Sequence, residues 1–565
     1  MGLACFQCLT VGFKDNSSTL VQLEPDLETP DTHQIISDFI TPHHRVQKIE
    51  RESETSLAQH HAGACLAIAN PDFIMSDLEL DQTTKAIEAL EFKKSHLLKE
   101  ASEVDLELNF LRAKQGRFLN RRAPIHKIPT EIISHIFMLC QQAPGPKTIH
   151  VPFEILISQV SALFREVAIG TPLLWTVIKI VVKMRPHNFS RKVLEWKLAR
   201  VRVYLDRSAS CMFTTSFDIV GPFQIDQLLY LVSEHAARWE RLSISIKNPP
   251  AATLEIWQAL HSISAPALEH VSIWLSRPSM GGHHLVTDGG TVTDCTPLIF
   301  RGGTPSLKFV RLSGMALGCL QPPLGRVETL HLSDYPLGYA SFRTMLDSIP
   351  NLINLSLHRM HIVNRPLDSP PISLPYLRAL RVCGNLEDET AHQYRILRML
   401  CMPVLESLVL KDLETFEEQV FPTVHTLTLY SCPFAAGEMY RMLRAFPVLT
   451  TFRLDESLPD VLDLLAVPDH GSGKPPWPKL QTLAVTGMES ADVELVCDLI
   501  SERRSLGTPL ARMFLDRRSR VVLRKKDRLE WLQQFPGLQV DRHDGVYSWP
   551  ADLRYEDNDE GFWDP

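Results

Sequence analysis

Through the second half of the chain one short phrase of alternating apolar residues keeps returning, Pro-x-Leu-x-x-Leu-x-Leu with conservative substitutions. It reads PALEHVSI from Pro266, PSLKFVRL from Pro305, GRVETLHL from Gly325, PNLINLSL from Pro350 and PYLRALRV from Pro375. It continues as PVLESLVL from Pro403, PTVHTLTL from Pro422, PVLTTFRL from Pro447 and PKLQTLAV from Pro478. Alternation over the closing residues predicts a strand with one buried face, and recurrence at steps of roughly 20 to 40 residues marks a repeat array. Helix-patterned stretches lie between the copies: YASFRTMLDSI, AHQYRILRML, AGEMYRMLRAF and ADVELVCDLISERR. One strand and one helix per unit predict parallel neighbours in a curved α/β solenoid. RWERLSISI near Trp239 reads as an earlier unit, and GTPLARMFL near 510 and FPGLQV near 537 as terminal ones. The array is therefore expected over 181–550, clearest over 265–488.

Alternation also names the residues that point away from the core. Between the last two apolar positions stand Arg311, His331, Arg381 and Arg453, and just after them Trp274, His358, Lys411, Tyr430 and Asp455. Side chains of this kind dominate binding hot spots, so this face is a candidate target-binding surface, mildly basic and suited to an acidic or phosphorylated protein. Solvated polar positions are the plain alternative for any one of them.

The first part of the chain has a different rhythm. Residues 1–80 carry acidic, Thr, Pro and His content without sustained periodicity and predict a disordered extension. Over 81–120 the apolar residues Ile87, Leu90, Leu97, Ala101, Val104, Leu108, Leu111 and Phe118 fall on steps of three and four, with Lys94 and Gln115 interrupting. Two readings stay open there: an amphipathic helix packed on its own protein, or a homodimer formed through 87–118.

Next comes RRAPIHKIPTEIISHIFMLC, where Pro129 suits a helix start and Glu131 meets the positive end of the helix dipole. Ile132, Ile133, Ile136, Phe137, Leu139 and Cys140 then make an apolar face wider than a surface helix of this length needs. After a Pro/Gly loop, one further helical pattern carries Leu156, Ile157, Val160, Leu163, Phe164 and Val167, and GTPLLW closes the segment at Trp175. Two or three short helices over 121–180 have a small core, and an exposed apolar face on them is best covered by another protein.

These residues resemble the F-box, in the form abundant in mushroom-type fungi. The likeness runs through Ile128-Pro129-x-Glu131-Ile132-x-x-x-Ile136-Phe137, Ser158-Gln159-Val160 and Thr171-Pro172-Leu173-Leu174-Trp175. Ser161 and Phe164 stand where that family commonly has Cys and Trp. The repeats in turn resemble an irregular leucine-rich repeat domain. The fold so implied is a small α-helical F-box domain, preceded by an amphipathic helix and followed by an α/β horseshoe. The function implied is the substrate-recognition subunit of a cullin-RING ubiquitin ligase. It would dock on a Skp-type adaptor through Ile128, Pro129, Glu131, Ile132, Ile136, Phe137, Val160, Phe164 and Trp175. The rival reading is a non-degradative scaffold that uses the repeats and the heptad helix.

Composition narrows the classes further. The chain has 565 residues, 44% hydrophobic and 22% charged, with a net charge of −8 that argues against a mainly nucleic-acid-binding protein. Eleven scattered cysteines, an odd number, read as reduced thiols of an intracellular protein, cytoplasmic or nuclear. Cys5 and Cys8 lack a second pair, and the pairs His43-His44, His60-His61 and His283-His284 sit in polar surroundings, so no metal or other cofactor is expected. The amino-terminal MGLACFQCLTVGFK has neither a basic n-region nor a long apolar run, so no signal peptide is expected, nor a membrane span elsewhere. Nucleotide, hydrolase and metalloprotease motifs are missing, so the chain is not expected to be an enzyme. RMFLDRRSRVVLRKKDRLEWL (512–532) is basic but holds Asp516, Asp527 and Glu530, as a solvated capping unit would, and 551–565 is an acidic tail expected to be disordered.

Overall fold

The computed structural model describes residues 77–120, 122, 124–142, 151–183, 191–220, 225–247, 252–276, 298–366, 369–384, 396–416, 419–455, 459–466 and 475–542. The stretch 1–76, the tail 551–565, Cys5, Cys8 and the three histidine pairs lie outside these residues. The chain forms two compact units that divide between Val167 and Ala168, inside the segment 121–180.

Among the described residues the first unit contains four α-helices, α1 (Asp77–Asn120), α2 (Thr130–Gln142), α3 (Phe153–Val160) and α4 (Ala162–Ile169), whose last residues pass the division. The carbonyl of Pro129 receives the N–H groups of Ile132 and Ile133, so the proline sits just ahead of the helix it launches. Pro152 does the same for α3, accepting from Ile155 and Leu156. The single helical pattern expected from Leu156 to Val167 is instead two helices. Ser161 adopts an extended backbone and caps α4, its Oγ accepting from Phe164 N at 3.1 Å. A hydroxyl that bonds the backbone locally competes with helix continuation, and here it won. Phe137 and Phe164 meet edge to face at 5.1 Å in a core that includes Ile133 and Ile157.

The second unit is α/β, built on one long parallel sheet of fourteen strands among the described residues. They are β1 (Val177–Lys183), β2 (Phe213–Val220), β3 (Trp239–Lys247), β4 (His270–Leu275), β5 (Phe309–Gly314), β6 (Thr329–Ser333) and β7 (Asn354–His358). Then follow β8 (Ala379–Cys383), β9 (Ser407–Lys411), β10 (Thr426–Tyr430), β11 (Thr451–Asp455), β12 (Thr482–Thr486), β13 (Arg512–Leu515) and β14 (Gln539–Arg542). Each strand pairs only with the one before and the one after it in this series. The nine Pro-x-Leu copies supply β4 to β12 in the register their alternation requires. Val271, Val310, Leu330, Leu355, Leu380, Leu408, Leu427, Phe452 and Leu483 align in one row, all fully buried. A second buried row runs two residues further on, from Ile273 to Val485.

In most copies the opening proline starts a turn in which the first leucine's N–H returns to the residue before the proline. Leu307 reaches Thr304 O, Leu377 reaches Leu374 O and Leu480 reaches Trp477 O. One carbonyl per unit then accepts two N–H groups from the next: Glu328 O from Ile353 and Asn354, Arg378 O from Glu406 and Ser407, Glu406 O from His425 and Thr426. At the far end of β5 the chain turns on Gly314 at φ 60°, where a Cβ would lie 2.1 Å from Leu275 O. Only glycine fits there.

β1 and β2 were not anticipated as units, because neither opens with Pro-x-Leu. Their signal is the alternation itself: Phe213, Thr215, Phe217 and Ile219 are buried while the residues between them are not.

Candidate interaction surfaces

On α2 the wide apolar face resolves into two parallel stripes. Ile133 and Phe137, 1% and 3% exposed, point into the first unit's core. One residue earlier on the helix, Ile132 and Ile136 with Leu139 follow i, i+4, i+7 spacing on the outer side; Ile132 is 52% and Leu139 54% exposed and Ile136 is half-buried. Of the remaining adaptor candidates, Pro129, Glu131 and Val160 are exposed and Ile128 is half-buried. Three belong to interiors instead. Phe137 and Phe164 are core partners in the first unit, and Trp175 is buried in the second. Its ring stands edge-on to Tyr204 at 5.2 Å beneath the Arg207 guanidinium at 4.4 Å, and its Nε1 donates to Ala168 O at 2.8 Å. All three therefore act by supporting the fold. Leu139, which the F-box comparison left out, completes the outer stripe.

The second surface is the sheet face opposite the leucine rows. The target-binding candidates do share it. Arg311, His331, Arg381 and Arg453 occupy one cross-strand row, and Trp274, His358, Lys411, Tyr430 and Asp455 the row two residues on. Alternation did not reveal how far these side chains bury one another. His331, His358, Arg381, Lys411 and Tyr430 are buried, whereas Trp274, Arg311, Arg453 and Asp455 remain half-exposed. Arg381, 1% exposed, donates through Nε to Ser356 Oγ at 3.0 Å. Ala379, Cys383, Val409 and Tyr430 close over β8 to β10 as a small apolar cluster. Along the second row Ser333 Oγ donates to Ser313 Oγ at 2.5 Å, Ser313 Oγ to Asp334 Oδ2 at 3.3 Å, and Arg359 Nε to Asp334 Oδ1 at 2.8 Å. Thr486 donates to the Asp455 carboxylate, and Lys247 stands 5.7 Å over the Trp274 ring.

The electrostatics of this face are cationic around the histidines. Burial holds His270 and His331 well below the usual imidazole range, reinforced by Arg241 and Arg311 around His270 and by Arg381 and Arg311 around His331. His358 is pushed down to about 4, by burial first and then by Arg359, against the opposing pull of Asp334. These rings are neutral at pH 7. Of the nine candidates on this face, one aromatic, two arginines and an aspartate thus remain accessible.

A third feature is an open cavity of about 1110 Å³ at the strand-entry side, lined by Val363, Arg365, Arg398, Cys401, Gln419 and Val420 among others. Among the described residues no hydrogen-bond donor reaches the buried Gln419 Oε1 there. Sequence reasoning missed it, because its walls come from the connecting segments of three successive units. Elsewhere burial raises the Cys432 thiol to about 12 and pushes Cys383 up as well, so both stay protonated at neutral pH. Among the described residues no cluster of His, Cys, Asp or Glu could hold a metal ion, and no helix is long and apolar enough to cross a membrane.

No protein-family model matches the chain, and no curated protein matches it.

Proposed function

We propose that the chain is a substrate receptor of a cullin-RING ubiquitin ligase: an F-box in the first unit docks on a Skp-type adaptor, and a leucine-rich repeat array in the second holds a target protein. The observation that carries this reading is the split face of α2. Ile133 and Phe137 are committed to the core while Ile132, Ile136 and Leu139, one residue out of step with them, form an outer apolar stripe that is exposed at Ile132 and Leu139 and half-buried at Ile136. An apolar stripe on a small helical unit is stabilised by a foreign surface, and the residues in and around it are those of the F-box likeness. Such a protein does no chemistry itself. It accelerates ubiquitin transfer by raising the effective concentration of a target held on the half-exposed Trp274, Arg311, Arg453 and Asp455.

The test is retention of a purified Skp-type adaptor by the full chain, compared with an Ile132→Asp, Leu139→Asp variant. Both positions are exposed, so the variant keeps the wild-type circular dichroism and loses the adaptor by at least tenfold in affinity. If the wild type retains no adaptor, or the variant retains it equally, the receptor reading fails and a non-degradative scaffold takes its place.

A further inference from the structure

The helix α1 is 44 residues long, and every large apolar side chain described on it is exposed. Its seam begins one heptad before the sequence pattern suggested, at Leu80. The large apolar seam residues Leu80, Ile87, Leu90, Leu97, Val104, Leu108, Leu111 and Phe118 are between 40% and 65% exposed. Most helical stability in proteins comes from packing an apolar face. Eight large side chains exposed along one seam make a continuous apolar stripe of the kind that marks a protein–protein contact.

The identity of the occupant follows from the charges beside the seam. With Leu80, Ile87, Lys94, Ala101, Leu108 and Gln115 at the a positions, the g positions hold Ala86, Lys93, Glu100, Glu107 and Lys114, and the e positions Thr84, Glu91, Leu98, Asp105 and Arg112. Two parallel copies would set Lys94 against Lys94 and Glu100 against Asp105, with only Glu107 and Arg112 in favour. Two antiparallel copies overlapping along the full seam set Lys93 beside Glu107 twice, Leu98 against Leu98 and Leu97 against the small Ala101. Lys94 then lies opposite Val104 and next to the Glu91 and Asp105 carboxylates, which it offsets. Glu100 faces its own copy at the centre, the one unrelieved repulsion beside the seam.

We propose that α1 pairs antiparallel with the same helix of a second copy, making the protein a homodimer whose two chains are joined through residues 80–118. This does not rest on the adaptor reading and stands or falls separately from it. Light scattering on the full chain at micromolar concentration is expected to return twice the 64.0 kDa of one chain. A Leu97→Asp, Leu108→Asp variant is expected to return the single mass with its sheet signal unchanged, because both side chains lie on an exposed helix. For orientation, a Leu90→Cys chain mixed with a Leu108→Cys chain is expected to form a disulfide between those positions, while Leu90→Cys alone does not link to itself. A single-chain mass for the wild type would overturn the proposal, whether residues 1–76 or another protein covers the seam. A double mass that survives the aspartates would overturn it too, and so would self-linking of Leu90→Cys, the mark of parallel pairing.

Discussion

Three buried histidines make the sheet face a register of solvent acidity. His270, His331 and His358 are held neutral by burial and by neighbouring cations, whereas in the unfolded chain each titrates near 6.5. Between that value and the lowered folded one, the unfolded state binds protons that the folded state excludes. The stability they contribute is fully present above about pH 6.5 and is lost as pH falls, down to about 4 for His358. Each histidine accounts for up to about 1.4 kcal/mol per pH unit across that window. Urea unfolding followed from neutral to mildly acidic pH is expected to show a falling midpoint, and a His331→Gln, His358→Gln variant a shallower fall. Equal slopes would mean that burial, with the cations Arg311, Arg359, Arg381 and Lys411, does not hold His331 and His358 neutral against the pull of Asp334. None of this was legible from alternation. Period two says which side of a strand a residue takes, while its burial depends on what the two neighbouring strands place beside it.

For single elements, legibility depended on whether the signal was local. The nine strands β4 to β12 could be read because a proline turn and two apolar rows repeat together, each fixed by backbone geometry within eight residues. The two faces of α2 could not be separated, since Ile132 and Ile133 are adjacent in sequence and only the packing of Phe164 and Ile157 decides which turns inward. The break between α3 and α4 was missed for a related reason. Leu156 to Val167 keep a helical period across Ser161, and a periodicity count gives no weight to a hydroxyl that caps. Ser161→Ala is expected to lower stability by about 1 kcal/mol, the usual worth of such a cap. Calorimetry on the full chain would register it as a lowered transition for the first unit, and an unchanged transition would deny the serine its capping role. The residue that departs from the F-box pattern thus has a structural task of its own.

At the scale of the whole molecule, the fourteen-stranded sheet among the described residues is open, its strands paired in series. Every strand answers only to its two neighbours, and the double-acceptor carbonyls repeat with the same geometry from unit to unit. Stability in such an array is a sum over adjacent units. The chain is therefore modular in a way a closed barrel or a wound sheet cannot be. Deleting residues 422–446, one turn, strand and helix, would bring Pro447 to Phe421 and let Glu406 O receive Thr450 and Thr451 in place of His425 and Thr426. The shortened protein is expected to keep a cooperative thermal transition, and loss of that transition would show that the units are not interchangeable. The length of this surface is then open to inheritance by addition and loss, like links in a watch strap, without a new interior each time.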